Sequence, residues 1–295
     1  GLDTSVDDLL RQADLAMYQA KAAGCNRLQF FDPEMQAVVS NRAALEASLR
    51  RAFEGNHFVL HYQAQVTADG RVTGSEVLVR WQHSESGLLA PGEFIPLAEE
   101  THLIVPLGYW VLEAACMQLA AWATQPDMAH LTVAVNVSTR QFRQPDFVDK
   151  VLAILACTGI DPKRLTLELT ESLLVGHTKD CIDKMVALRA RGVSFSLDDF
   201  GTGYSSLSCL KRLPLDQLKI DQSFVDDVLS DPTDAAIAMA VVALAHSRAL
   251  GVIAEGVETE AQRDFLESLG CHVYQGFFFS RPLPIGNFEA FVRRL

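Results

Sequence analysis

The chain has 295 residues, 49% of them hydrophobic and 21% charged, which is enough length for a full core and an ordinary globular composition. Its 37 acidic residues against 25 basic ones leave a formal net charge of −12. That balance excludes a broadly basic surface for nucleic-acid polymers, although bound cations can reverse the sign locally.

Residues Val6–Lys21 carry apolar residues at helical spacing, and Gly24 follows as a stop. Arg27–Phe31 (RLQFF) reads as a short strand, broken by Asp32–Pro33. A second helix is expected over Ser40–Glu54, with Leu45, Leu49 and Phe53 on one face and Gly55 past its end. Strand-like runs follow at Phe58–Gln63, Glu76–Trp81, Leu131–Ser138, Arg164–Glu171, Val193–Gly201, Leu215–Asp221, Val252–Glu258 and Cys271–Gly276. Helical patterns separate most of the later runs, one of them near Gly108–Trp122. Strands alternating with helices over about 250 residues predict an α/β fold, a TIM-like (β/α)8 barrel. Only a turn at Asp69–Gly70 parts the first two strands, so a hairpin and one antiparallel strand are expected.

The longest apolar run, Ala235–Ala245, is shorter than the roughly 20 residues of a membrane-spanning helix. Asp231 and Pro232 fit the cap and first position of a helix that buries it against the sheet. The six cysteines form no CxxC pair and lie in apolar surroundings, which points to reduced, buried thiols in a cytoplasmic protein. The eight histidines show no HExxH spacing, so zinc is not expected. Gly1 opens in what reads as mid-domain sequence without a signal peptide; a longer protein is expected, with any membrane anchor outside these residues.

The stretch SFSLDDFGTG, Ser194–Gly203, places two like charges where an apolar run stops. One acidic strand end is an ordinary turn or helix cap. Here the feature repeats: the runs deliver Glu76 and Arg80, Asn136, Glu168, Asp198–Asp199, Lys219, Glu255 and Gln275 in turn. In a barrel, the ends of parallel strands converge on one mouth. The acidic set holds hard oxygen donors without His or Cys, which selects Mg²⁺ or Mn²⁺, and its size suits two ions. Two such ions about 3.5–4 Å apart are the usual arrangement for phosphodiester hydrolysis. An enolase-type proton abstraction with a lysine base also uses carboxylates at strand ends. A kinase reading of DDFG fails, because no HRD loop or GxGxxG accompanies it.

EVLVRW, VNVSTRQF, LELTES, DDFGTGYSSLSCLKRLPLDQLKIDQSFV, AEGVE and YQGFFFSRPLP together resemble the EAL-domain phosphodiesterases of bacterial cyclic-di-GMP signalling, from about Ala43 to Leu295. The resemblance implies a barrel with one antiparallel strand and hydrolysis of cyclic di-GMP to linear pGpG with two Mg²⁺ or Mn²⁺ ions, Ca²⁺ being inhibitory. A degenerate EAL domain acting as a cyclic-di-GMP receptor is the alternative. Carried onto this sequence, Glu76, Asn136, Glu168, Asp198 and Asp199 resemble metal ligands. Lys219 resembles the residue that orients or helps activate the attacking water, and Glu255 the general base or a water-mediated metal ligand, the base between them left open. Gln63, Arg80 and Gln275 resemble substrate-pocket residues. Glu171 resembles the glutamate that steadies the loop Gly201–Lys211, which in the family also serves dimerisation; a homodimer is expected. Ala13–Asp32 resembles the end of a GGDEF domain, so the expected division is a GGDEF remnant and linker over 1–36 and the barrel over 37–295. Val77, Ala64, Ser84 and His102 depart from the family pattern, which usually has Ala, Pro, Pro and Gly there.

Overall fold

The computed structural model describes residues 30–174, 178–201 and 210–294, with Val6, Leu10, residues 12–14, 16, 17 and 20, and Leu28 before them; of residues 33–41, 174 and 178 only the backbone is described. The chain divides into two compact units, residues 1–57 and 58–295.

In the first unit the described residues between Val6 and Ala20 are helical, as the apolar spacing predicts. Helix α1, Pro33–Glu54, ends where expected but begins earlier than Ser40 and runs unbroken through the 36/37 division. Leu28, Phe30 and Phe31 lie outside any strand, and Leu28 and Phe30 are exposed. A β-prone run needs a partner strand to become one, and none pairs with these among the described residues.

The second unit is a closed barrel. Strands β1 (Phe58–Thr67) and β2 (Val72–His83) form the expected hairpin, and the two-residue β9 (Val273–Tyr274) closes onto β1. Between them run β4 (Thr132–Val137), β5 (Leu165–Thr170), β6 (Ser194–Phe200), β7 (Gln217–Ile220) and β8 (Gly251–Ala254). From β2 to β9 neighbouring barrel strands pair in parallel; β1 alone is antiparallel to both its neighbours in the barrel. Two short strands that the apolar pattern does not mark, β3 (Gly87–Leu89) and β10 (Leu283–Pro284), extend β2 and β1.

Helices wrap the outside. After α2 (Pro91–Glu100) comes α3, Ile104–Ala123, which is long and apolar enough to cross a membrane by length and composition. It packs instead on β4 and on α5 (Phe147–Thr158), burying Leu112, Cys116 and Leu119 completely. α4 is the short Thr139–Phe142, α6 is Thr178–Arg189 and α7 is Gln222–Asp226. In α8, Pro232–Ser247, the Asp231 carboxylate accepts the Thr233 N–H at 2.7 Å, the predicted cap, and Ala238, Val241, Val242 and Ala245 are buried. A capping box between Thr259 and Gln262 starts α9, Glu260–Leu269, and left-handed Gly270 ends it. The last helix, α10, is Ile285–Val292. Cys116, Cys181 and Cys271 are buried as expected, but Cys157 is exposed on α5; Cys25 and Cys209 lie outside the described residues.

Candidate active site

A parallel register sets the mouth. Glu76 on β2 stands level with Ala134, two residues before Asn136; Asn136 pairs with Glu168, and Glu168 with Ser196, two residues before Asp198. Side chains of i and i+2 share a face, so Glu76, Asn136, Glu168 and Asp198 all point inward near the strand ends. β7 adds Lys219, and Glu255 follows the last residue of β8.

Lys219 is the hub. Its Nζ lies 2.5 Å from Glu255 Oε1, 3.0 Å from Glu168 Oε2, 3.3 Å from Glu76 Oε2 and 3.4 Å from Asp198 Oδ1. The lysine is fully buried, and burial alone would depress its pKa; Glu168, Glu255, Glu76 and Asp198 together hold it well above the usual lysine value. Burial works against every carboxylate here, and the outcome differs with the partners. Glu76 accepts from Lys219, from Gln275 Nε2 at 2.6 Å and from Asn136 Nδ2 at 2.5 Å, and is held below the usual range. Glu168 is pushed well above it by burial and the Glu76 charge. Glu255 rises to about 8, through burial first, with Lys219 opposing.

The double aspartate sits on a break in the β6–β7 pairing, between Leu197 and Phe200. Such a bulge re-aims a side chain that a regular strand would send to the opposite face. Asp199 takes the left-handed conformation, φ 55°, which Asp tolerates better than most residues. Burial, Asp198 and Asp221 raise its carboxyl to about 6, and Asp221 hydrogen-bonds its side chain. One residue on, Gly201 N–H donates to Glu171 Oε2 at 3.3 Å, so Glu171 holds the start of the loop named from the sequence. Residues 202–209 of that loop lie outside the described residues.

Gln63, opposite Glu76 in the hairpin register, accepts from Gln275 Nε2 at 3.2 Å and donates to the Ser280 carbonyl at 3.3 Å. With Glu76, Glu255, Gln275 and Phe277 it lines a cavity of ≈ 260 Å³. Arg80 does not join this network: its Nη1 donates to the adjacent Val79 carbonyl at 3.1 Å, although Glu76 is the charge it senses. Three contributors escape sequence reasoning. Gln65 donates to Gln275 Oε1 at 3.5 Å, Asp221 braces Asp199, and Phe277 lines the cavity. Gln65 could have been found, since it lies two residues from Gln63 on the same strand face.

Among the described residues no three His, Cys, Asp or Glu side chains stand ready-made around a metal position; the Lys219 ammonium occupies the space between the carboxylates. One feature fits a divalent cation. Glu168 Oε1 is buried without a hydrogen-bond partner, and a carboxylate oxygen in that state is expensive unless a charge meets it. The oxygen donor set around it suits Mg²⁺ or Mn²⁺.

The family model of the EAL domain matches residues 46–282. The chain is 46% identical over 278 residues to MucR of Pseudomonas aeruginosa, named a bifunctional diguanylate cyclase/cyclic di-GMP phosphodiesterase, covering 94% of the chain and 40% of MucR. It is 42% identical over 288 residues to the cyclic di-GMP phosphodiesterase NbdA of the same organism, covering 97% and 37%. Among solved structures, the PaMucR phosphodiesterase in complex with c-di-GMP superposes with a TM-score of 0.80 at 46% identity, covering 83% of this chain and 99% of that one. The EAL domain of Mycobacterium smegmatis DcpA gives 0.70 at 36% identity, covering 80% and 98%. The chain spans about two fifths of the length of the curated relatives it matches.

Proposed function

The chain belongs to the EAL-domain family, and from that premise we propose that it hydrolyses cyclic di-GMP to linear pGpG. The observation that carries this reading is the convergence of Glu76, Glu168, Asp198 and Glu255 on Lys219 at the barrel mouth, beside a cavity that Gln63 and Gln275 line.

Glu76, Asn136, Glu168, Asp198 and Asp199 would hold two divalent cations, Mg²⁺ or Mn²⁺. When bound, those ions would lower the pKa of water and neutralise the phosphodiester charge. The protein's own groups supply the rest. Glu255, partly exposed at 17% and facing the cavity, accepts in its carboxylate form the proton of the attacking water as its oxygen adds to phosphorus; the P–O3′ bond breaks and O3′ leaves as a hydroxyl, protonated from solvent. Lys219, held charged by four carboxylates, orients Glu255 from 2.5 Å and stays an ammonium throughout. Gln63 and Gln275 offer amide hydrogen-bonding groups to the substrate, and Glu171 fixes Gly201 beside the double aspartate.

The test is the product. Incubation with cyclic di-GMP should yield pGpG with Mg²⁺ or Mn²⁺, and neither with Ca²⁺ nor with EDTA. Saturable binding of cyclic di-GMP without pGpG under either activating ion would refute hydrolysis and leave a receptor.

A further inference from the structure

A wider cavity, of ≈ 970 Å³, opens at the mouth end of the barrel, where the segments after β4 and β5 meet the link between α2 and α3. Arg140 on α4, Arg143 just after that helix and His102 in the link form its basic lining. Thr139 and Ser172 add hydroxyls 3.5 Å apart, and Glu99 is the one acid among the described lining residues. Arg140 Nη1 lies 2.9 Å from His102 Nδ1. A guanidinium only donates, so Nδ1 accepts and the neutral ring carries its proton on Nε2. The pair thus presents the remaining guanidinium N–H groups and the Nε2–H as donors. No carboxylate ion-pairs with Arg140 among the described residues, in a chain of net charge −12. His102 is held there at φ 62°, a strained backbone of the kind that persists at ligand clamps.

We propose that this cavity binds the phosphoryl group of a second, phosphorylated small molecule, whose oxygens accept from Arg140, from His102 Nε2–H and from the Thr139 and Ser172 hydroxyls. Donors arriving from three segments suit a tetrahedral dianion, whereas a planar carboxylate is matched by a single guanidinium fork. Barrels of this architecture commonly hold phosphate at the same face. None of these side chains belongs to the Lys219 cluster, so no turnover is needed to detect the site. Thr139 lies three residues beyond Asn136, and Ser172 follows Glu171, which holds Gly201. An occupant therefore ties together two segments that leave the catalytic mouth.

The probe is inorganic phosphate, titrated at constant ionic strength into protein freed of metal on a chelating resin, with acetate as the planar control. Phosphate should raise the melting temperature saturably, and acetate should not. Arg140→Gln, at an exposed position, should raise the half-saturating concentration at least tenfold, for a lost charge-assisted hydrogen bond. His102→Gly adopts the same backbone without strain and should raise it about fivefold, for one neutral donor. Glu99→Gln should lower it, and cyclic di-GMP should leave it unchanged. The proposal is overturned if phosphate gives no saturable shift, if acetate matches it, or if either Arg140→Gln or His102→Gly binds phosphate as well as the parent. Displacement of phosphate by cyclic di-GMP would make the cavity part of the substrate site and overturn it equally.

Discussion

Lys219 Nζ lies 3.0 Å from Glu168 Oε2, and neither side chain has any exposed surface. Removing one partner of a buried pair leaves an uncompensated charge, at a cost of about 3–5 kcal/mol. Lys219→Met should therefore lower the melting temperature of the metal-free protein sharply, since Glu76, Asp198 and Glu255 lose the same cation. Mn²⁺ should restore more stability to the variant than it adds to the parent, while pGpG formation stays abolished. A metal-free variant as stable as the parent would show that the ammonium does not hold the cluster together.

The pH dependence of the metal-free protein follows from Glu255. Its folded pKa is raised from 4.5 to about 8, so between those values the folded state holds a proton that the unfolded chain has released. The stability this confers is complete below about 4.5 and is lost as pH rises through about 8. Glu168 is shifted in the same direction, whereas Glu76 is lowered and contributes stability that disappears on acidification. Thermal melts in EDTA should give a lower midpoint at pH 9 than at pH 6. Glu255→Gln should flatten that decline, and an unchanged slope would assign it to other groups.

Gly276 is required by packing. A Cβ there would strike the backbone of Val257, whose N–H donates to the Gln275 carbonyl at 3.1 Å and whose carbonyl accepts from Phe278 N–H at 3.0 Å. Gly276→Ala must push apart the segment after β8 and the segment after β9, which carry Glu255 and Gln275. Overpacking of this kind costs about 1–3 kcal/mol. The expected result is a lower denaturant midpoint together with a raised KM for cyclic di-GMP. Wild-type values for both would mean that the backbones separate freely.

His102 is exposed, yet its backbone sits at φ 62°. The left-handed region costs a non-glycine residue roughly 1–2 kcal/mol. His102→Gly relieves that strain but loosens the unfolded chain by about 0.4–1 kcal/mol and loses the contact of Nδ1 with Arg140 Nη1 at 2.9 Å. These terms nearly cancel, so His102→Gly should leave the denaturant midpoint close to that of the parent. His102→Val keeps the φ requirement with a β-branched side chain, which tolerates it less well than histidine, and should be destabilising. Chemical denaturation of the three proteins decides it, and a neutral valine would remove backbone strain from the account.

The barrel was legible because its strands announce themselves locally. Apolar runs such as LTVAVNV and SFSLDDF each carry polar side chains just before their last residue, and the parallel register gathers those positions into one cluster. What was not legible depends on partners distant in sequence. Arg27–Phe31 has the composition of a strand, but Leu28, Phe30 and Phe31 have no strand beside them among the described residues, whereas β3 and β10 have only three and two residues and exist because β2 and β1 offer an edge. The same holds within the site. Nothing local in LKID shows that Asp221 reaches Asp199, or that Arg80 turns to its neighbouring carbonyl rather than to Glu76. Gln141 read as part of VNVSTRQF, and only folding reveals that both ends of its amide lack a partner.

Because β1 runs against the other barrel strands, its link to β2 emerges at the floor of the barrel, the end remote from Glu76 and Lys219. That link is a tight turn with Asp69 exposed and Gly70 at φ 84° facing open space. Exposed turn tips of this kind accept foreign sequence. A folded reporter module spliced between Asp69 and Gly70 would thus hang from the base of the barrel and leave the opposite rim clear.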